Sequence, residues 1–217
     1  MLTYTEENYL KVLLKSTIES GTNAAGTNEL AVLLDVKPAT VNSMLKKLKE
    51  KELVDYEKYG KIKLTSKGKK SALEIMRKHR LWETFLYQKL DFSWDEVHEV
   101  AEQLEHIQSS KLIDKLDKFL KYPEFDPHGD PIPTKKGEIK VFHKKTLAEI
   151  HIGKSCRMVA VRDNSSPFLQ YVIKVGLSIN SVIKVLAIEG YDSMMMIEVN
   201  GMQSAVSQKF AENIFVD

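Results

Sequence analysis

The sequence of 217 residues contains one cysteine, Cys156. A single thiol excludes an internal disulfide framework and any cysteine-based zinc finger. No run of 18 apolar residues occurs, so no membrane span is expected. The opening Met1-Leu2-Thr3-Tyr4-Thr5-Glu6-Glu7 lacks the basic and apolar regions of a secretory signal. A cytoplasmic protein is therefore expected. Prolines number only 6, and four of them (Pro123, Pro127, Pro131 and Pro133) fall with Gly129 in one stretch that must be loop or linker.

Net charge is nearly absent too, at +2, but this near-balance hides a division. Between Lys37 and Arg80 there are 14 Lys or Arg against 5 Asp or Glu. From Asp91 to His106 there are 6 acidic residues and no Lys or Arg. The first stretch suits a polyanion and the second a cation.

Periodicity supplies the elements. Thr5, with Glu6 and Glu7 behind it, is expected to cap a first helix carrying the stripe Leu10, Leu13, Leu14 and Ile18, ended by Gly21. Thr27 is expected to cap a short second helix through Leu30, Leu33 and Leu34. Pro38 suits the first position of a third, with Val41, Met44, Leu45 and Leu48 forming its apolar stripe. Leu53–Tyr56, a Tyr59-Gly60 turn and Ile62–Leu64 read as a hairpin. A long helix follows from Thr65 or Ser66 towards Lys89, then helices over Trp94–Ser110 and Lys111–Tyr122. Past His151 the pattern turns to strands, at Met158–Val161, Ser181–Glu189 and Met194–Val199, with turns at Gly190 and Asn200-Gly201. A small β domain over roughly the last 65 residues is expected.

Three helices followed by a hairpin, the third helix basic, describe a winged helix-turn-helix. The face of the third helix opposite its apolar stripe carries Ala39, Thr40, Asn42, Ser43, Lys46 and Lys47. Short polar side chains near a recognition helix's start reach base edges, and lysines one turn later reach phosphates. Lys58, Lys61 and Lys63 are placed on the wing. The plainer alternative is a solvated basic face that binds nothing.

A second pattern lies in the histidines. His79 and Glu83 stand four apart on the long helix. His98, Glu102, Glu105 and His106 stand at offsets 0, 4, 7 and 8 on the next, within an arc of roughly 100° on a continuous helix. Glu102, Glu105 and His106 are thereby candidates to converge on one ion. Nitrogen and oxygen donors without thiolate favour Mn2+ or Fe2+ over structural zinc.

The run Met76-Arg77-Lys78-His79-Arg80-Leu81-x-Glu83, followed by Val97-His98-x3-Glu102-x2-Glu105-His106, resembles the metal-dependent repressors typified by diphtheria toxin repressor and the manganese transport regulators. Lys37-Pro38-Ala39-Thr40-Val41 resembles that family's recognition-helix opening, and Leu64-Thr65-x-Lys67-Gly68 its wing exit. The resemblance implies a mainly α chain with a small β part. It comprises a winged helix-turn-helix over 1–70, a helical metal-binding and dimerisation domain over 71–140, and a C-terminal Src-homology-3-like barrel of FeoA type over 150–217. It implies a primary metal site at Asn8, Glu102, Glu105 and His106. For an ancillary site it implies either His79, Glu83 and His98, or Glu83 with Asp126, His128 and Asp163. Glu102 stands where iron-selective relatives carry cysteine, which favours Mn2+. Asn8 and Lys11 stand where manganese relatives carry Asp and, in some, Glu.

These readings converge on a homodimeric repressor of metal-uptake genes that binds double-stranded operator DNA, with Mn2+ or Fe2+ as co-repressor. Two rivals are a metal-independent winged-helix regulator and a carboxylate-histidine metalloenzyme with an open coordination position.

Overall fold

The computed structural model describes residues 2–56, 61–140 and 145–217. The chain divides into two compact units. One comprises Met1–His79, Leu104–Ser109 and Pro133–Glu138; the other comprises Arg80–Gln103, Ser110–Ile132 and Ile139–Asp217.

In the first unit, α1 (Tyr4–Glu19) starts two residues earlier than the acidic pattern suggests. Thr3, rather than Thr5, is the N-cap. Its hydroxyl accepts from the Glu6 N–H at 3.3 Å and Glu6 Oε2 accepts from the Thr3 N–H at 2.9 Å, a reciprocal capping box. α2 (Thr27–Leu33) is likewise capped one residue before expectation. Gly26 is its N-cap and donates its N–H to Glu29, so Thr27 lies inside the helix. Leu33, expected in its apolar stripe, is exposed, and Leu30 and Ala31 are the buried residues.

α3 (Pro38–Glu50) buries Val41, Leu45 and Leu48, with Met44 partly covered. The hairpin follows as β1 (Val54–Asp55) against β2 (Lys63–Leu64), paired Val54 to Leu64 and Asp55 to Lys63. Its expected tip, with Lys58, Tyr59 and Gly60, lies outside the described residues. Leu10, Leu13, Leu30, Leu45, Leu48 and Ile62 are almost fully buried and make this unit's core.

α4 (Ser66–Lys89) is the long helix expected. α5 is shorter than expected, Val97–Leu104 instead of Trp94–Ser110. The Ile107 N–H closes on the Leu104 carbonyl at 3.2 Å, a turn that takes Glu105 and His106 off the helix. The single arc drawn through His98, Glu102, Glu105 and His106 therefore does not hold, since 100° per residue applies only inside a helix. α6 (Ser110–Phe119) ends with Lys121 and Tyr122 at positive φ, three residues short of the expected end.

In the second unit a six-stranded antiparallel sheet runs in the order β3-β8-β4-β5-β6-β7. Its strands are β3 (Lys145–Thr146), β4 (Ser155–Val161), β5 (Val182–Ile188), β6 (Met195–Val199), β7 (Met202–Val206) and β8 (Ile214–Val216). Register shifts between Met158 and Ala160 and between Val185 and Ala187 bend it, as extra residues in one strand do. Buried Met158, Ile183, Val185, Met195 and Ile197 share one core with Leu169 and Val172 of α7 (Ser166–Lys174). Sequence periodicity did not anticipate α7. A four-residue helix, α8 (Gln208–Ala211), precedes β8. Asn200 and Gly201, both at positive φ, make the tight β6–β7 turn.

The proline-rich stretch is an ordered loop anchored to this sheet. Asp126 Oδ1 accepts from the backbone N–H groups of His128 and Asp130 at 2.8 and 3.0 Å, and the Val161 N–H donates to the His128 carbonyl at 3.1 Å. Gly129 sits at φ +82°, and a Cβ there would fall 2.0 Å from the Val159 carbonyl oxygen. Only glycine lets the loop lie this close to β4. Gly129→Ala should therefore cost about 3 kcal/mol or more, read as a lower urea midpoint at unchanged slope.

Candidate metal centre and nucleic-acid interface

α1 and the turn after α5 meet as a ladder in the first unit. Glu7 and Lys11, one turn apart on α1, face the consecutive residues His106 and Glu105. His106 Nδ1 lies 2.5 Å from Glu7 Oε2, and Gln108 Nε2 donates to Glu7 Oε1 at 2.7 Å. Lys11 Nζ lies 2.7 and 2.9 Å from the two oxygens of Glu105. His79 Nδ1, from α4, lies 2.6 Å from Glu105 Oε2. The Glu105 carboxylate is fully buried.

The bonding pattern leaves donors for an ion. An ionised Glu7 accepts only, so Nδ1 of His106 carries the proton. Nε2 is buried without a hydrogen-bond partner, 3.5 Å from Glu105 Oε1. The Asn8 Oδ1 is buried and unpartnered as well. A histidine fixed through one nitrogen by a carboxylate, with the other nitrogen open, is how metal-ligating imidazoles are oriented. Asn8, Glu105 and His106 thus fit a divalent cation. Glu7, read from the sequence only as an acid of the first helical turn, orients the histidine; its partner lies 99 residues away, so no local pattern marks it.

A second cluster lies within the other unit. Glu83, Asp126 and His128 each offer a ligand atom, all within 4.8 Å of one another, and all three residues are buried. His128 repeats the arrangement of His106. Its Nε2 donates to the Trp94 carbonyl at 3.0 Å, while Nδ1 has no hydrogen-bond partner and lies 3.7 Å from Glu83 Oε1. The Trp94 ring stacks on the imidazole at 5.5 Å. Burial, with the charges of Glu83 and Asp130, pushes the Asp126 carboxyl up to about 7, against the pull of Arg80 and His128. Carboxylates crowded in this way take protons where no cation relieves them. Arg80 supplies part of that relief, at 3.5 Å from Asp126 and 3.3 Å from Asp130.

The remaining candidates are placed as follows. His98 Nδ1 is 3.1 Å from Glu83 Oε1, and its Nε2 is 3.6 Å from Glu102 Oε1. His79 places its Nδ1 2.6 Å from Glu105 Oε2. Asp163 does not join the described clusters of possible ligands. Its carboxylate accepts instead from the Ser165 N–H at 2.8 Å, forming the turn that leads into α7.

On α3, Lys37, Pro38, Ala39, Thr40, Asn42, Ser43, Lys46 and Lys47 are all exposed, and so are Lys61 and Lys63 beside the hairpin. Other lysines of the basic stretch serve the fold. Lys49 donates to the Tyr56 carbonyl at 3.0 Å, Lys51 pairs with Glu6 at 2.7 Å and Lys67 caps the Lys51 carbonyl at 2.9 Å.

Comparison with known proteins now assigns the chain. Residues 1–62 match the N-terminal DNA binding domain of iron dependent repressors, 65–134 their metal binding and dimerisation domain, and 145–217 the FeoA domain. The chain is 32% identical over 146 residues to the HTH-type transcriptional regulator MntR of Bacillus velezensis, covering 67% of this chain and 96% of that protein. The chain belongs to the family of iron- and manganese-dependent transcriptional repressors. A solved structure of a manganese-dependent transcriptional repressor in complex with manganese superposes with a TM-score of 0.87 at 33% identity, covering 97% of this chain and 98% of that one. A probable metal transport system membrane protein of Chlamydia trachomatis matches over 70 residues at 44% identity. The chain spans 16% of that protein's length. No helix among the described residues is long and apolar enough to cross a membrane. The family consists of DNA-binding regulators, so the metalloenzyme reading falls away.

The geometry makes the His106 tautomer measurable. In metal-free protein at pH 8 its ring 15N shifts should report a proton on Nδ1, and Glu7→Gln should turn this into a mixture of both tautomers.

Proposed function

We propose that this repressor is a homodimer that binds double-stranded operator DNA when loaded with Mn2+ or Fe2+, and that it controls metal-uptake genes in the cytoplasm. The observation that carries the metal reading is the buried, unpartnered His106 Nε2 beside the buried carboxylate of Glu105. The primary ligands are Glu105 and His106 with Asn8, and Glu102 is the further carboxylate that the family pattern adds. Glu83, Asp126 and His128 form the ancillary set, with His79, His98 and Asp163 as the other candidates of the family pattern. The one cysteine is buried in β4 with its thiol on the Ile183 carbonyl, so the donor set is oxygen and nitrogen, suited to Mn2+ or Fe2+.

The division 1–70, 71–140 and 150–217 assigns DNA reading, metal binding with dimerisation, and a barrel to successive parts of the chain. When bound, the ion supplies positive charge that favours one arrangement of its ligands over others, and the shift is limited by that difference in affinity. Asn8 on α1 and the Glu105–His106 turn then hold α1 in one position. In a homodimer this sets the two α3 helices for successive major grooves, about 34 Å apart. Exposed Leu112 and Phe119 on α6, with Phe119 against the Phe85 ring at 6.1 Å, supply an apolar surface for the second copy.

Duplexes selected from a random library in Mn2+ give the probe for testing this reading. Chelator should abolish their binding, and Mn2+ or Fe2+ should restore it. Glu105→Gln or His106→Ala should raise the Mn2+ needed about tenfold or more while leaving the fold intact by circular dichroism. A response at wild-type Mn2+ concentrations in either variant would move the site elsewhere.

The nucleic-acid face has its own test. Lys46→Ala and Lys47→Ala should each flatten the salt dependence of binding by roughly one unit across all sequences. Thr40 and Asn42 variants should instead change which bases are selected.

A further inference from the structure

We propose that Lys11 is the resident counter-ion of Glu105, and that a divalent cation must displace its ammonium to use that carboxylate. The inference rests on the metal reading above and adds a residue that this reading does not use. Lys11 Nζ bridges both oxygens of Glu105, at 2.7 and 2.9 Å, in a pair whose side chains are 13% and 0% exposed. A carboxylate buried to that degree needs compensation. His79 supplies a third contact, on Oε2 at 2.6 Å. Each oxygen of Glu105 therefore already has a nitrogen on it.

Two cations sharing one carboxylate in a buried site repel strongly, since little solvent screens them. The ammonium is the one able to leave. It stands on a flexible four-carbon arm, and its side chain is the partly exposed member of the pair. His79 and His106, being rings on short stems, stay in place. Lys11 thus has two effects of opposite sign. In metal-free protein it holds α1 against the turn after α5, one rung from the Glu7–His106 contact. Towards an incoming ion it is a competitor, so it raises the metal concentration at which the site fills. A threshold set by an internal cation lets the metal-free chain stay ordered at this turn without binding scarce ions tightly.

The experiment compares wild type, Lys11→Met, Glu105→Gln and the double variant by urea unfolding in chelator, and measures Mn2+ binding to wild type and Lys11→Met by calorimetry. Removing the ammonium alone leaves a buried charge, whereas removing both partners does not. The double variant should therefore be more stable than the sum of the single losses implies. Lys11→Met should bind Mn2+ about tenfold tighter or more, because nothing has to be displaced. Additive losses overturn the counter-ion role, and equal or weaker Mn2+ affinity in Lys11→Met overturns the displacement. If coupling is present but neither protein binds Mn2+, the metal reading itself falls, and displacement with it. Lys11→Gln removes the charge but keeps a donor on Glu105, and carries the same comparison if Lys11→Met does not fold.

Discussion

Burying the Glu105 carboxylate is the constraint on which the first unit's chemistry turns. A carboxylate with no solvent is costly unless opposite charge and hydrogen bonds surround it, and three nitrogen contacts from Lys11 and His79 do so here. Those contacts come from α1 and α4, so meeting the requirement also positions both helices against the turn that bears Glu105. α5 stops at Leu104, and the turn can then aim Glu105 and His106 at α1 residues one helical turn apart. A continued helix would have pointed consecutive side chains about 100° apart. The shortening of α5 and the burial of Glu105 are two sides of the same geometry.

Each unit contains a histidine prepared in the same way. His106 is held through Nδ1 by a carboxylate, and His128 through Nε2 by a backbone carbonyl. In both, the other nitrogen is buried, lacks a hydrogen-bond partner and faces a glutamate. Buried polar atoms without partners are uncommon because each costs on the order of 1–3 kcal/mol. Two of them, each beside a buried carboxylate, are what the proposed cation sites rest on. The second lies in a loop, and its precision comes from Asp126 bonding the backbone of its own turn and from Gly129 lying against β4.

The basic stretch shows how one composition serves two ends. Lys49, Lys51 and Lys67 bond to the hairpin, α1 and the end of α3, so they belong to the fold. Lys46 and Lys47 stay exposed on the face of α3 that Val41, Leu45 and Leu48 leave outward. Charge counting does not separate these groups. Helical phase does, because burial of one face dictates which side chains remain available to a polyanion.

By itself the sequence determined the winged helix-turn-helix, the long α4, the β character of the last part and the face of α3 that looks outward. All of these follow from short-range periodicity, which acts within a helix or strand and is written in consecutive residues. The pairing of ionisable groups was decided only by tertiary structure. Spacing put Glu105 and His106 on one helical arc with His98 and Glu102, but the helix ends before them. Glu7 and Lys11 carried no signal of their own, because their partners lie 99 and 94 residues away. Asp163 suited a ligand by sequence, yet its carboxylate closes its own turn on Ser165. α7 lacked any expectation, and its burial of Leu169 and Val172 depends on the sheet it covers. Such contacts depend on where distant segments meet, and a linear pattern reports only which residues are near in the chain.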